Sequence, residues 1–197
     1  QHVVDSETPL NQATLIYELW LHHYILGLEF SASPYAFHTL GSSCGFNARC
    51  YAAVRGMPLR AGAEDFYLLN KLAKMGQIFR PAGPPVLIQA RASDRVPFGT
   101  GPAVARLMAS GKPQLTPFFY HQNNFNALKQ VLKCFPQWLT RQEPEIHQNL
   151  LRLLPEALAD AATAQLLKLG LPKAIKHARS NSENVKQRER QLHTWFD

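Results

Sequence analysis

Two adjacent carboxylates, Glu64 and Asp65, follow the small residues Ala61-Gly62-Ala63 at the point where helical spacing begins. The N-terminus of a helix is positive and favours an ionised carboxylate. An aspartate held there can take the proton of a hydroxyl nucleophile as a general base. The plainer role for such acids is to cap the helix. A second polar group, Ser93-Asp94-Arg95, leads into the loop Val96-Pro97-Phe98-Gly99-Thr100-Gly101-Pro102. Arg95 has the planar fork that grips a phosphate or carboxylate through two hydrogen bonds. Its plainer role is a local pair with Asp94 that fixes a turn. Gly99 and Gly101 do not make a dinucleotide fingerprint, which needs a third glycine inside a βαβ unit.

Other chemistries find less in the chain. His22 and His23 are adjacent and so face different sides of a helix, while His38, His121, His147, His177 and His193 are scattered. No metal-ligating spacing results. Cys44 and Cys50 read as small core residues, and no Gly-x-Ser-x-Gly elbow is present. Phe118, Phe119, Tyr120, His121 and Phe125 lie between Lys112 and Lys133. Aromatic and basic side chains so mixed can stack nucleic-acid bases; the commoner fate of phenylalanine is an apolar cluster.

These residues need elements to hold them. Residues 10–30 read as a long helix with Leu15, Ile16, Leu19, Trp20, Leu26 and Leu28, apolar nearly all round. Such a helix is buried on several sides. A short helix is expected over 48–54, closed by Arg55-Gly56-Met57-Pro58. Another is expected over 64–75, with Phe66, Leu69, Leu72 and Ala73 inward and Gly76 as its stop. Short strands are expected near 77–80 and 86–91, separated by Pro81, Pro84 and Pro85, with a short helix after the Gly/Pro loop. From about residue 115 strand signals vanish, and segments near 124–135, 144–158, 160–170 and 182–195 show helical spacing. The expected fold is α/β but helix-dominated, with a domain over 1–110, a division near Gly111 and an all-helical, basic region over 111–197.

The chain has 197 residues, 46% hydrophobic and 18% charged, enough for a real core and too apolar for disorder. No uninterrupted apolar run is long enough to span a bilayer. Three cysteines without a Cys-x-x-Cys pair favour a reducing, cytoplasmic setting. The net charge is +7, of which residues 111–197 carry +5, from 12 Lys and Arg less 7 Asp and Glu. Lys173, Lys176, Arg179, Lys186, Arg188 and Arg190 stand there against Glu183 and Glu189. A tail of that kind suits an acidic partner, and its plainer reading is a solvated helix face.

Read in order, several stretches resemble a known family. His38-Thr39-Leu40-Gly41-Ser42-Ser43 precedes Phe46-Asn47-Ala48-Arg49 and Tyr51-Ala52-Ala53-Val54-Arg55-Gly56. Ala63-Glu64-Asp65-Phe66-Tyr67-Leu68-Leu69 follows, and Ser93-Asp94-Arg95 closes the series. Over residues 35–101 this resembles the second, acceptor-side half of a family 2 glycosyltransferase with the GT-A fold. The resemblance implies inverting transfer of a sugar from a nucleotide-sugar to a glycan or lipid-linked acceptor. It implies Asp65 as the base with Glu64 beside it, and Gly41, Ser42, Ser43, Asp94 and Arg95 as substrate-binding residues. Arg95 becomes the candidate to steady the leaving diphosphate.

The family's donor half carries an Asp-x-Asp motif, whereas Asp5, Asp65, Asp94, Asp160 and Asp197 all stand apart here. Arg55-Gly56 occupies the place of the family's Gly-Gly pair. Gln191-Leu192-His193-Thr194-Trp195 does not reproduce the processive Gln-x-x-Arg-Trp motif, so a non-processive enzyme is expected. The reading is therefore a fragment of a bacterial-type enzyme, inactive by itself, without a resident cofactor or metal; Mg or Mn would belong to the parent. The parent would sit at the inner face of the cell membrane, and homo-oligomers are compatible with it. The rival reading is a non-enzymatic helical module that binds nucleic acid or an anionic membrane surface through its basic tail.

Overall fold

The leucine-rich opening stretch folds as α1 (Pro9–Phe30) in the computed structural model. The structure describes residues 2–3, 8–39, 43–60, 62–84, 86–93, 99–109, 119–142 and 144–196. Thr8 caps α1 by accepting the Asn11 N–H at 3.2 Å. The chain forms two units, one of residues 1–26 and 35–120, the other of residues 27–34 and 121–197. The division expected near Gly111 falls on residues outside those described.

In the first unit β1 (His2–Val3) pairs in parallel with β2 (Ile88–Gln89), His2 opposite Ile88. Among the described residues this ladder is the entire sheet. The strand expected over 86–91 shrinks to β2, and residues 77–80 form no ladder. Pro81 and Pro84 lack the N–H that a ladder would need between them. Then α4 (Thr100–Ala109) lays Val104 and Leu107 on Ala13 of α1, with Leu10, Ile16 and Tyr17 packed around them. Pro102 lies in the first turn of α4, where a missing N–H costs little. The expectation that α1 is buried on several sides is corrected: Leu15, Leu19 and Leu26 stay 45%, 53% and 61% exposed.

Between these pieces α2 (Ala48–Ala53) and α3 (Glu64–Ala73) share a small core. Leu68, Leu69 and Leu72 are buried there, with Phe37, Cys44, Cys50, Tyr51, Val54 and Ile78 against them. The inward face of α3 is thus not the expected Phe66–Leu69–Leu72–Ala73 stripe; Phe66 is exposed and Leu68 takes its place.

Among the described residues the second unit forms only helices: α5 (Gln122–Thr140), α6 (Ile146–Leu151), α7 (Glu156–Lys168), α8 (Leu171–Ser180) and α9 (Val185–Phe196), with the last turn of α1. Phe135, Trp138, Leu150, Leu171, Ile175 and Leu192 close its core, each essentially inaccessible. The single helix expected over 144–158 is two helices, because Pro155 cannot donate to the preceding turn and instead opens α7. In contrast, Pro136 is carried inside α5, which runs past the end expected near residue 135. The last turn of α1 belongs to this unit. Gly27 meets Phe125 so closely that a Cβ would lie 2.2 Å from its ring. The buried Ser31 hydroxyl lies 2.7 Å from the Gly27 carbonyl and 2.8 Å from the Phe125 carbonyl.

Candidate functional site

Local chemistry sets the α2–α3 region. Asn47 opens α2, its Oδ1 accepting the Arg49 N–H at 2.8 Å and the Cys50 N–H at 3.4 Å. The Phe46 and Tyr51 rings stack with centroids 5.0 Å apart, and the Tyr51 hydroxyl accepts the Met57 N–H at 3.1 Å. Between them the chain turns through two consecutive left-handed residues, Arg55 (φ 63°) and Gly56 (φ 69°). Only Gly56 adopts that conformation without penalty. The Lys71 ammonium reaches back to the Val54 carbonyl at 3.4 Å and ties α3 to the end of α2.

Glu64 and Asp65 form the first turn of α3, behind a left-handed Ala63 (φ 58°) with no side-chain cap. Neither acid occupies the cap position itself. Asp65 Oδ1 accepts the Phe66 N–H at 2.8 Å, which satisfies one donor of the helix start. Spacing adds a second point. Residues 65, 68, 69 and 72 follow the i, i+3, i+4, i+7 rule, so Asp65 heads the stripe whose other members are buried leucines. It is a half-buried carboxylate at the open end of an apolar face. Arg60 lies 3.7 Å over the Tyr67 ring, a cation–π contact that pins the chain entering α3.

The structure places the other expected site residues unevenly. Ser43 is exposed, and its neighbour Cys44 packs against the leucines of α3. Gly41, Ser42, Asp94 and Arg95 lie outside the described residues. The two ends of the Asp94–Arg95 loop do meet. A Cβ on Gly101 would fall 2.1 Å from the Ser93 carbonyl oxygen, so the start of α4 abuts the residue before the loop.

The basic tail divides into structural and exposed cations. Arg179 is half-buried and spends its guanidinium on the end of α5, donating to the carbonyls of Leu139 (3.1 Å), Gln142 (3.0 Å), Trp138 and Arg141. Those carbonyls lack intrahelical partners, so Arg179 is a C-terminal cap supplied by another helix. Arg188 donates to the Ser182 carbonyl at 2.5 Å. Lys173, Lys176, Lys186 and Arg190 are exposed. The aromatic run before α5 also splits: Phe125 is buried, Phe119 meets His23 edge-on, and Tyr120 lies against Tyr24. His121 caps α5, with Nδ1 accepting the Asn123 N–H at 3.2 Å. Sequence spacing did not reveal Arg179 or His121 as caps; for Arg179 the signal lies forty residues away, at the end of another helix.

Among the described residues no three His, Cys, Asp or Glu side chains come together as a metal cradle, and no helix is long and apolar enough to cross a membrane. His147 and Asp160 do pair at 2.6 Å, as an exposed link between α6 and α7. No protein-family model matches the chain, no curated protein does, and no solved structure does.

Proposed function

We propose that this chain is the acceptor-side half of an inverting family 2-type glycosyltransferase, with Asp65 as its general base. The observation that carries the reading is the position of Asp65, a half-buried carboxylate in the first turn of α3 at the head of a buried leucine stripe. An apolar surface beside a carboxylate keeps water away from it, which suits a base. A second feature supports it: Arg55 and Gly56, at the family's glycine pair, are both left-handed.

In this reading an acceptor hydroxyl lies against Asp65. Its oxygen attacks the anomeric carbon of the donor as its proton passes to the carboxylate. The bond from that carbon to the diphosphate oxygen breaks, and the electron pair leaves with the diphosphate. Glu64 orients the acceptor or the loop, and the exposed Ser43 binds substrate. Gly41, Ser42, Asp94 and Arg95 complete the substrate-binding set, with Arg95 at the leaving group. Among the described residues no three His, Cys, Asp or Glu side chains come together to hold Mg or Mn. A donor-binding half must come from outside this sequence. The test is sugar transfer by the protein combined with that half. Wild-type turnover by folded Asp65→Asn would refute the assignment.

A further inference from the structure

Helix α1 has an apolar face that its own fold does not use. Ala13, Ile25 and Leu28 are buried, and Ile16 and Tyr17 pack beside Ala13 in the cluster with α4. The outer face carries Leu15, Leu19, Leu26 and Phe30, each 45–61% exposed. Positions 15, 19, 22, 26 and 30 are spaced by threes and fours, so these side chains and His22 lie in one narrow stripe along the helix. Lys129 covers one face of the Phe30 ring. Helices rarely turn such a stripe to water; alternating steps of three and four residues are those of a seam that packs against another helix. Four apolar side chains about half exposed present roughly 400 Å², the size of patch that marks an interaction site.

The pattern of the stripe says which helix fits it. Leu19 and Leu26 lie equally far from the midpoint between His22 and His23, and so do Leu15 and Phe30. A two-fold axis through that midpoint sets Leu19 of one copy on Leu26 of the other, and Leu15 on Phe30. Each contact is made twice, as an isologous interface requires. Two copies together bury roughly 800 Å² of apolar surface, which with a polar rim is the low end of specific interfaces. Glu18 and Glu29 border the stripe on one edge. The two-fold turns that edge toward its own copy, so the rim is mildly repulsive and the attraction is apolar.

We infer that the outer stripe of α1 is the interface of a reversible homodimer, two copies of α1 packed antiparallel with Leu19 on Leu26 of the partner. This surface is independent of the role given to Asp65.

The full chain is followed by light scattering on size exclusion between about 1 and 500 μM. The mass should rise from one chain, 22.2 kDa, toward two. Raising salt from about 0.05 to 1 M should tighten the dimer, because it screens the acidic rim. Leu19→Lys and Leu26→Glu should each weaken association about tenfold or more, since each sets a charge against a leucine twice. Both substitutions in one chain bring the lysine opposite the glutamate on each side of the axis, and should recover most of that loss. Diluted to monomers, all three variants should keep the wild-type melting temperature, because both positions are exposed. A chain that stays monomeric at every concentration overturns the proposal and leaves the stripe to a different polypeptide, such as the donor-binding half. A dimer that loosens in salt, that survives either single substitution, or that the double substitution does not restore overturns it as well.

Discussion

The indole of Trp138 donates to Asn149 Oδ1 at 2.9 Å, and both residues are buried. One hydrogen bond thus joins α5 to α6 inside the helical core. Asn149→Leu leaves the indole N–H without a partner in an apolar setting. The expected loss is about 1–3 kcal/mol of stability, read from urea unfolding followed by tryptophan fluorescence. An unchanged midpoint would mean that the core rearranges to find another acceptor.

Arg179→Lys should also destabilise, although it keeps the charge. An ammonium cannot serve four carbonyls spread around the end of a helix, as the guanidinium does. A loss of about 2 kcal/mol is expected, the scale of hydrogen bonds to a charged group. Amide exchange should accelerate first in the last turn of α5. Lys176→Ala, on the same helix but exposed, is the control and should change little.

His193 gives the pH dependence. Burial pushes its pKa below the ordinary histidine value, and the Glu189 carboxylate one turn earlier opposes this in part. The unfolded chain therefore binds the proton more readily than the folded one. Stability from this group is fully present above the unfolded pKa of about 6.5 and is lost as pH falls through the lower folded value. Thermal unfolding between pH 7.5 and 5 should show that decline, and His193→Phe should flatten it. The ring lies 5.0 Å from that of Phe135, so a phenyl ring suits the place.

Gly27→Ala should be among the most damaging single-methyl changes. The added carbon would fall 2.2 Å from the Phe125 ring, between helices already held together by Ser31. Overpacking of this kind costs about 1–3 kcal/mol. Arg55→Gly should act the other way, since it relieves a left-handed arginine at a cost of roughly 1 kcal/mol. A melting temperature that rises for Gly27→Ala or falls for Arg55→Gly would contradict the packing described.

Asp65→Asn keeps an oxygen able to accept the Phe66 N–H, so the fold should persist. Under the proposed function, turnover by the protein combined with its donor-binding half should fall about 10²-fold or more, the scale of a lost general base. Glu64→Gln should be milder. A large melting loss with a proportionate activity loss would return both acids to helix capping.

The helices starting near residues 9, 48 and 64 were legible because their signals are local: an apolar run, a Gly/Pro stop at 55–58, and acids after small residues. So was the helical character of most of the described chain after residue 121. What sequence could not show depends on distant partners. Leu68 rather than Phe66 is inward because the cluster around Cys44, Cys50 and Val54 lies on that side. No helix was expected between 170 and 182, whereas Gly170 (φ 85°) separates α7 from α8 and Pro172 sits in the first turn of α8. The pairing of β1 with β2 joins residues more than eighty positions apart through two bridges, too short for any pattern to register. The carboxylate pair at 64–65 was visible in the sequence; that Asp65 heads a buried stripe was not.

Arg179 completes a helix that ended about forty residues earlier. During synthesis, at roughly 5–20 residues per second, α5 leaves the ribosome seconds before the side chain that finishes it. Until then its last carbonyls must be held by water, and its buried tryptophan lacks the lid that α8 and α9 supply. The newborn helical unit therefore passes through a stage in which its longest helix is present but open at one end. A stalled or prematurely terminated chain ending before residue 179 would remain at that stage, an exposed substrate for chaperones and proteases.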